Sequence, residues 1–535
     1  MSLEKSTAAR STVMGMSPAR EVWSIAWPTV LTMTSYTVMQ FVDALMVGQV
    51  SPLAVAAQGG GGIWSFVPIA VGMGLLTVVN TFVSQNLGAG KPEEGAQYGW
   101  AAIWLSLVFW VSILLPFALI LPFVFPLTHN RATIENFDAL VRMETGYAQI
   151  LLGGAALLLI GRGLHHYFFG LHRPKVVTVA ALLGNTTNIL VNYAFIFGSA
   201  GVSITIGEST YVMPGVPGIP ALGVYGAAIG TVVGTFVEAL IPGLVFLFPL
   251  NREFRTRSAW RPRWKPIRDL IRVGWPAALQ YGNELVCWAA FMTILVGHFG
   301  ENHITAGWAT LRFMHLSFMP AVGFSVAATS LVGKYIGARQ PDVAVHRTRV
   351  ALKLAVSYMS VCAIIMFVFR RPLIGLFVGG DVTPEQAADI IDIGASLMIC
   401  AAFFQTIDAL GIIYTGALRG AGDTVFPSAV TAVYSWLFII GGGYALIELR
   451  PEWESVGPWI GAAVFIIVFG LTMAWRFESG SWRKIRLLDD EDENGRTQRD
   501  AARHAPISSG PPAECSEGSI RDIAEDVADV LAKRK

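Results

Sequence analysis

The sequence predicts an all-α polytopic membrane protein with twelve transmembrane helices in two pseudo-symmetric six-helix bundles. Three observations carry that prediction. Of 535 residues, 53% are hydrophobic and only 14% charged, whereas charged residues approach a quarter of an ordinary soluble protein. Twelve apolar stretches reach the roughly 20 residues that a helix needs to cross a bilayer. The chain also repeats itself about 249 residues on: Trp27-Pro28 returns as Trp275-Pro276, Gly88-Ala89 with Lys91-Pro92 as Gly337-Ala338 with Gln340-Pro341, and Gly170 with Arg173 as Gly416 with Arg419.

In chain order, the spans of the first half fall at 23–48, 53–86, 95–126, 143–170, 174–199 and 221–249. Those of the second fall at 268–299, 304–336, 344–374, 386–417, 424–448 and 456–476. Runs above the minimum length allow tilt. Pro28 in the first helix and Pro276 in the seventh each remove a backbone bond and favour a kink; packing is the favoured reading over a hinge, because membrane helices tolerate proline. The four glycines 59–62 of the second helix read as close helix contact rather than a gate. In the fourth helix His165 and His166 point to different faces, which favours interhelical hydrogen bonds over a proton relay. Glu238 in the sixth helix and Asp392 in the tenth are expected to add charge to a vestibule.

The domains expected from this pattern are an N-terminal arm (1–22), a first bundle (23–249), a basic linker (250–267), a second bundle (268–476) and a polar tail (477–535). The arm carries Lys5, Arg10 and Arg20 and lacks the apolar core of a cleavable signal peptide. The tail passes through Asp489-Asp490-Glu491-Asp492-Glu493 and reads as disordered, with Ile520, Ile523, Val527 and Val530 at the spacing of a short amphipathic helix. Basic residues are retained on the cytoplasmic side of a membrane. Arg252, Arg255, Arg257, Arg261, Arg263, Lys265, Arg268 and Arg272 crowd the join, and Lys91, Arg173, Lys175, Lys334, Arg339, Arg347, Arg349 and Arg419 share its parity. Both termini are therefore expected in the cytoplasm, and two six-helix halves inserted alike are related by an axis along the membrane normal.

Acidic residues inside such helices are the candidate functional groups. Glu284 lies twelve residues after Arg272 on an outgoing helix, roughly 18 Å from the cytoplasmic edge. Asp408 lies eleven residues before Arg419 on a returning helix, roughly 16 Å from the same edge. The two carboxylates share a depth near the midplane. Asp43 lies eight residues before Ser51, roughly 12 Å below the opposite surface. A charge at the centre of a membrane helix costs about 2.5–3.5 kcal/mol on insertion scales and usually lines a cavity or an ion path. The alternative is an internal salt bridge to Arg162 or Arg312, and Asp408 aligns with Arg162 across the repeat. A carboxylate couples transport either by taking up a proton or by helping oxygen ligands hold a hard cation such as Na⁺; the residues alone leave both open.

Other classes find no support. The net charge of +1 gives no footprint for nucleic acid. Cys287, Cys362 and Cys400 stand in apolar runs and Cys515 in the tail, with no spacing for a metal or disulfide framework. The chain carries no His-Glu-x-x-His motif, nucleophile elbow or ATP-binding loop, so an enzyme or an ATP-driven pump is not expected, nor any cofactor. A repeat around midplane acids suits alternating access rather than a pure channel.

The run Val42-Asp43-Ala44-Leu45-Met46-Val47-Gly48, the turn Gly88-Ala89-Gly90-Lys91 and the stretch Asn188-Ile189-Leu190-Val191-Asn192 with Phe195-Ile196-Phe197-Gly198 resemble the multidrug and toxic compound extrusion (MATE) family. Asn283-Glu284, Asp408 and Gly416-Ala417-Leu418-Arg419-Gly420 resemble its NorM-like branch, and the likeness runs collinearly over about 20–478. The resemblance implies a V-shaped pair of bundles that exports cationic, aromatic drugs in exchange for Na⁺ or H⁺, as a monomer in the inner membrane. It implies Glu284 and Asp408 as the cation site of the second bundle, with Na⁺ as one candidate ion, Asp43 as a further coupling acid, and Asp43, Asn188, Asn192 and Thr231 as the polar cluster of the first. Trp288, one turn after Glu284, is placed to offer its ring to a drug cation; packing against lipid or a neighbouring helix is the other reading. Two positions depart from the pattern: Phe404 stands where some relatives have tyrosine, and Arg312 where a neutral polar residue is expected. The functional alternative is a lipid-linked oligosaccharide flippase of the same superfamily, which calls for a basic groove.

Overall fold

The computed structural model describes residues 17–128, 131, 136–206, 209–377 and 383–488. The arm up to residue 16, the acidic run from Asp489 and the Ile520 to Val530 pattern lie outside the described residues. Twelve long helices follow one another: α1 (Pro18–Gly48), α2 (Pro52–Gly88), α3 (Pro92–Thr128), α4 (Phe137–Gly170), α5 (Pro174–Phe197), α6 (Val224–Leu247), α7 (Trp264–Ala290), α8 (Glu301–Gly337), α9 (Pro341–Val368), α10 (Pro384–Ala421), α11 (Val425–Leu449) and α12 (Val456–Glu478). Proline opens α1, α2, α3, α5, α9 and α10, where its missing N–H costs nothing and its fixed φ suits the first turn. Eleven helices among the described residues are long and apolar enough to cross a membrane. The exception is α7, whose apolar run is interrupted by Arg268, Asp269 and Arg272 and then by Gln280, Asn283 and Glu284.

The repeat is visible in the chain reversals. After α2, the Lys91 N–H donates to the Asn86 carbonyl (2.8 Å) with Gly90 at φ +75°; after α8, the Gln340 N–H donates to the Tyr335 carbonyl (2.7 Å) with Arg339 at φ +59°. Both are helix ends closed by a left-handed residue, and the second reaches the same shape without glycine. Between α5 and α6 a short antiparallel hairpin, β1 (Val202–Ile206) with β2 (Ser209–Met213), occupies a stretch read from sequence only as a connection.

Each half has its own apolar core, yet its first helix is shared. The foot of α1 places Val22, Ile25 and Ala26 among Ala321, Phe324 and Ala327 of α8 in the second half. The foot of α7 places Leu270, Val273 and Ala278 among Leu75, Val78 and Val79 of α2 in the first. The four-glycine run is explained by α4: a Cβ at Gly60 would run into the Glu144 carboxylate and one at Gly61 into the Glu144 backbone, so these glycines seat two helices at close range as expected.

The end of the molecule bearing the inter-half linker with Lys91, Arg173, Lys334 and Arg419 forms its basic face. Here the halves touch through backbone. A Cβ at Gly88 would collide with the Lys334 carbonyl, and one at Gly337 with that of Gln85. Thr81 Oγ1 donates to the Arg419 carbonyl (2.8 Å), Gln85 Nε2 to that of Gly420 (3.0 Å) and Ser330 Oγ to Asn80 Oδ1 (3.0 Å), while His172 Nε2 lies 3.1 Å from the Ser330 carbonyl. These contacts fall within about three turns of the basic ends of their helices and fix the floor from which the acidic residues are measured.

Candidate functional site

In the first half α5 carries Asn188 and Asn192 one turn apart, so both amides face the same way. Asn192 Nδ2 donates to Asp43 Oδ1 of α1 (2.6 Å) and to Asn188 Oδ1 (3.2 Å), and Asn188 Nδ2 reaches Thr231 Oγ1 of α6 at 3.4 Å. The four residues therefore form one connected cluster. Asp43 is 8% exposed and Asn192 fully buried, which makes these bonds obligatory. Glycines on α6 admit the amides: a Cβ at Gly230 would meet the Asn192 side chain and one at Gly234 would stand 2.6 Å from Asn188 Cβ. Asn192 Oδ1 is buried without a hydrogen-bond partner among the described residues.

In the second half the acids are held far more loosely. Gln280 Nε2, one turn earlier on α7, donates to Glu284 Oε1 (3.0 Å), and Gln280 Oε1 in turn accepts from Ser428 Oγ of α11 at 3.4 Å. Asn283 is clamped to α11 from both ends of its amide, donating to Ser435 Oγ (3.0 Å) and accepting from Trp436 Nε1 (2.8 Å). Ser435 begins a stretch of wide π-turns in α11, and α7 passes into another at Phe291; such turns often accompany functional sites. Asp408, part-buried on α10, makes no hydrogen bond or ion pair among the described residues and lies within the field of Glu284. Its neighbour Gln405 donates to Ser317 Oγ of α8, and Phe404 is fully buried in the apolar core of this half. A tyrosine hydroxyl at that position would meet the core, which accounts for phenylalanine there.

The intramembrane arginines do not neutralise these acids. Arg162 lies 3.9 Å from Glu238 of α6 and stacks over the Tyr36 ring of α1 (5.4 Å). Arg312 is exposed, with its guanidinium 5.8 Å from the Phe377 ring. The cation that senses Glu284 is Arg419, which sits over Tyr281 of α7 at 5.9 Å. Asp392 is exposed and paired with Arg371 (2.5 Å). Of the paired histidines, His165 makes an interhelical contact of the expected kind, with Glu238 of α6. His165 Nδ1 lies 3.7 Å from Glu238 Oε1, and His165 Nε2 and His166 Nδ1 are buried without partners among the described residues. Trp288 packs edge-on against Phe291 (5.4 Å) at the margin of the core.

The duplication has a counterpart in known proteins. One family model, MatE, matches residues 28–194 and, a second time, residues 277–444. The chain belongs to the MATE family of transporters. It is 29% identical over 465 residues to the probable multidrug resistance protein NorM of Burkholderia pseudomallei (strain K96243), a match covering 86% of this chain and 93% of the relative. It is 28% identical over 469 residues to the multidrug resistance protein MdtK of Edwardsiella ictaluri (strain 93-146), covering 86% and 94%. Among solved structures, a MATE in complex with MaL6 superposes with a TM-score of 0.75 at 20% identity, over 88% of this chain and 98% of the other. A structure described as the outward-facing conformation of a multidrug resistance MATE family transporter gives 0.71 over the same shares. This MATE protein is thus a multi-pass membrane transporter, not an enzyme.

Sequence reasoning missed two parts of the site in this MATE protein. Gln280 stands four residues before Glu284, a spacing that puts side chains in contact on a helix. Arg419 follows Asp408 by eleven residues, three full turns, and so shares its helix face. Both signals were present, but many residues satisfy such spacings. Among the described residues no group of three or more His, Cys, Asp or Glu side chains is assembled, and the amide oxygens nearest Glu284 already accept hydrogen bonds.

Proposed function

We propose that this transporter exports cationic, aromatic drugs in exchange for Na⁺ or H⁺, with Glu284 and Asp408 as the principal coupling acids and Asp43 as a further one. The observation that carries the reading is the state of Asp408: an intramembrane carboxylate without a hydrogen bond or ion pair among the described residues, within the field of a second acid that has one neutral donor among them. Such a pair gains from taking up one positive charge, either a proton or a hard cation, and loses it when a cationic drug competes. Asn188, Asn192 and Thr231 keep Asp43 hydrogen-bonded in the other half, and Trp288 offers a ring beside Glu284. The same reading places bundles at 23–249 and 268–476 around the linker 250–267, as a monomer in the inner membrane with both termini in the cytoplasm.

Inverted vesicles carrying the protein provide the test. Dye efflux is measured under an imposed sodium gradient and, separately, under a proton gradient. One gradient drives efflux in the parent protein, and Glu284→Gln and Asp408→Asn remove that response. Ion-driven efflux that survives both substitutions rejects the assignment.

A further inference from the structure

The feet of α1 and α7 are repeat-related, and each carries an acid at the same place: Glu21 and Asp269 both stand six residues before the Trp-Pro pair of their helix. The groups around them are repeat-related as well. Lys334 and Gln85 both stand three residues before the glycine that ends their helix, Tyr335 and Asn86 two before it, and Arg347 and Tyr98 both six after the proline that opens the next. The chemistry of the two sets differs.

Glu21 is 7% exposed and held from three sides by the second half. Arg347 Nε of α9 donates to Oε2 (2.6 Å), Lys334 Nζ of α8 to Oε1 (3.2 Å), and the Tyr335 hydroxyl lies 2.9 Å from both oxygens. Both cations also flank the Tyr335 ring, at 5.3 and 5.7 Å. At the foot of α7, Asp269 accepts, among the described residues, a single neutral hydrogen bond, from the Tyr98 hydroxyl (3.1 Å). The position of Lys334 is taken by Gln85, whose amide is spent on the Gly420 carbonyl, and that of Tyr335 by Asn86, which bonds within its own helix.

Both feet cross from one half into the core of the other on the basic face, so any movement that parts the halves there must strain or break these contacts. Charge-assisted bonds are roughly twice as strong as neutral ones, and an acid left buried after its cations withdraw is costly. We propose that Glu21 with Lys334, Tyr335 and Arg347 is the principal latch holding the basic face shut, and that Asp269 with Tyr98 is its weak counterpart. The basic face therefore yields first at α7 and last at α1. The proposal rests on the reading that transport requires the two halves to part on this side.

The test uses the full chain in lipid nanodiscs with its four native cysteines replaced and spin labels at Lys175→Cys and Gln340→Cys, exposed sites on the basic face of opposite halves. Distances are measured without drug or ion gradient, so the result is independent of whether Glu284 and Asp408 couple transport. The parent protein gives mainly the short distance. Glu21→Gln raises the ratio of long to short distances roughly tenfold or more, Arg347→Gln raises it less because Lys334 and Tyr335 still hold Glu21, and the double variant opens no further than Glu21→Gln alone, because that substitution already removes the acid that Arg347 grips. Asp269→Asn stays within roughly twofold of the parent. Tyr335→Phe, which keeps the ionic contacts and the ring, gives an intermediate shift and carries the test if the charge variants do not fold. An unchanged distribution in the Glu21 and Tyr335 variants, additive opening in the double variant, or an equal shift from Asp269→Asn overturns the proposal.

Discussion

The two halves descend from one pattern, yet they treat their acids in opposite ways. Asp43 is enclosed by amides from a neighbouring helix, and glycines on a third helix make room for them. Glu284 has one neutral donor and Asp408 none among the described residues. The first arrangement is a connected polar cluster in which Asn192 Oδ1 alone is left without a partner among the described residues; in the second the two acids share one neutral donor among the described residues. A duplicated scaffold thus supplies two repeat-related halves and lets single residues decide how firmly an acid is held in each. Arg162 stands at the repeat position of Asp408, and its neighbour Glu238 already supplies a counter-charge there.

This contrast can be broken most severely in the second half. Glu284→Gln and Asp408→Asn are expected to reduce gradient-driven dye efflux to the level of empty vesicles while leaving the melting temperature of the purified protein near that of the parent. In the first half the balance reverses. Gly234→Ala, whose Cβ meets Asn188, is expected to destabilise the protein by about 1–3 kcal/mol through overpacking, read as a lower Tm. Asn192→Ala removes the main donor to a buried carboxylate and costs about 1–3 kcal/mol by the same measurement. Gln280→Leu, the nearest equivalent in the second half, removes a neutral bond to a part-buried acid and costs about 1 kcal/mol or less. Arg312→Gln is expected to change neither Tm nor efflux, since its guanidinium is exposed and, among the described residues, lies over the Phe377 ring alone. Equal destabilisation by Asn192→Ala and Gln280→Leu would erase the distinction between the halves.

Much of this architecture was legible before any coordinates. The Trp-Pro and Gly-Ala signatures located both halves, and apolar length located the helices, including α7, whose hydropathy is diluted by its own polar residues. The cluster of Asp43 with Asn188, Asn192 and Thr231 was expected from the family resemblance, and those four side chains do meet. The partners of the arginines were not legible. Arg162 was weighed as a partner for the acids of the second half and instead faces Glu238, while Arg419 rather than Arg312 is the cation beneath Glu284. Nor was Glu21 singled out, because an acid near the start of a helix looks like an ordinary first-turn residue until the helices that surround it are known.

The sequence by itself determined that the chain is a membrane protein, the order of its helices and the duplication, because hydropathy and length are properties of a segment read alone. Only the tertiary structure decided which charge meets which, and that the first helix of each half is rooted in the other. Those outcomes depend on the rotation and crossing of helices far apart in the chain, where a few ångströms separate an ion pair from two solitary charges.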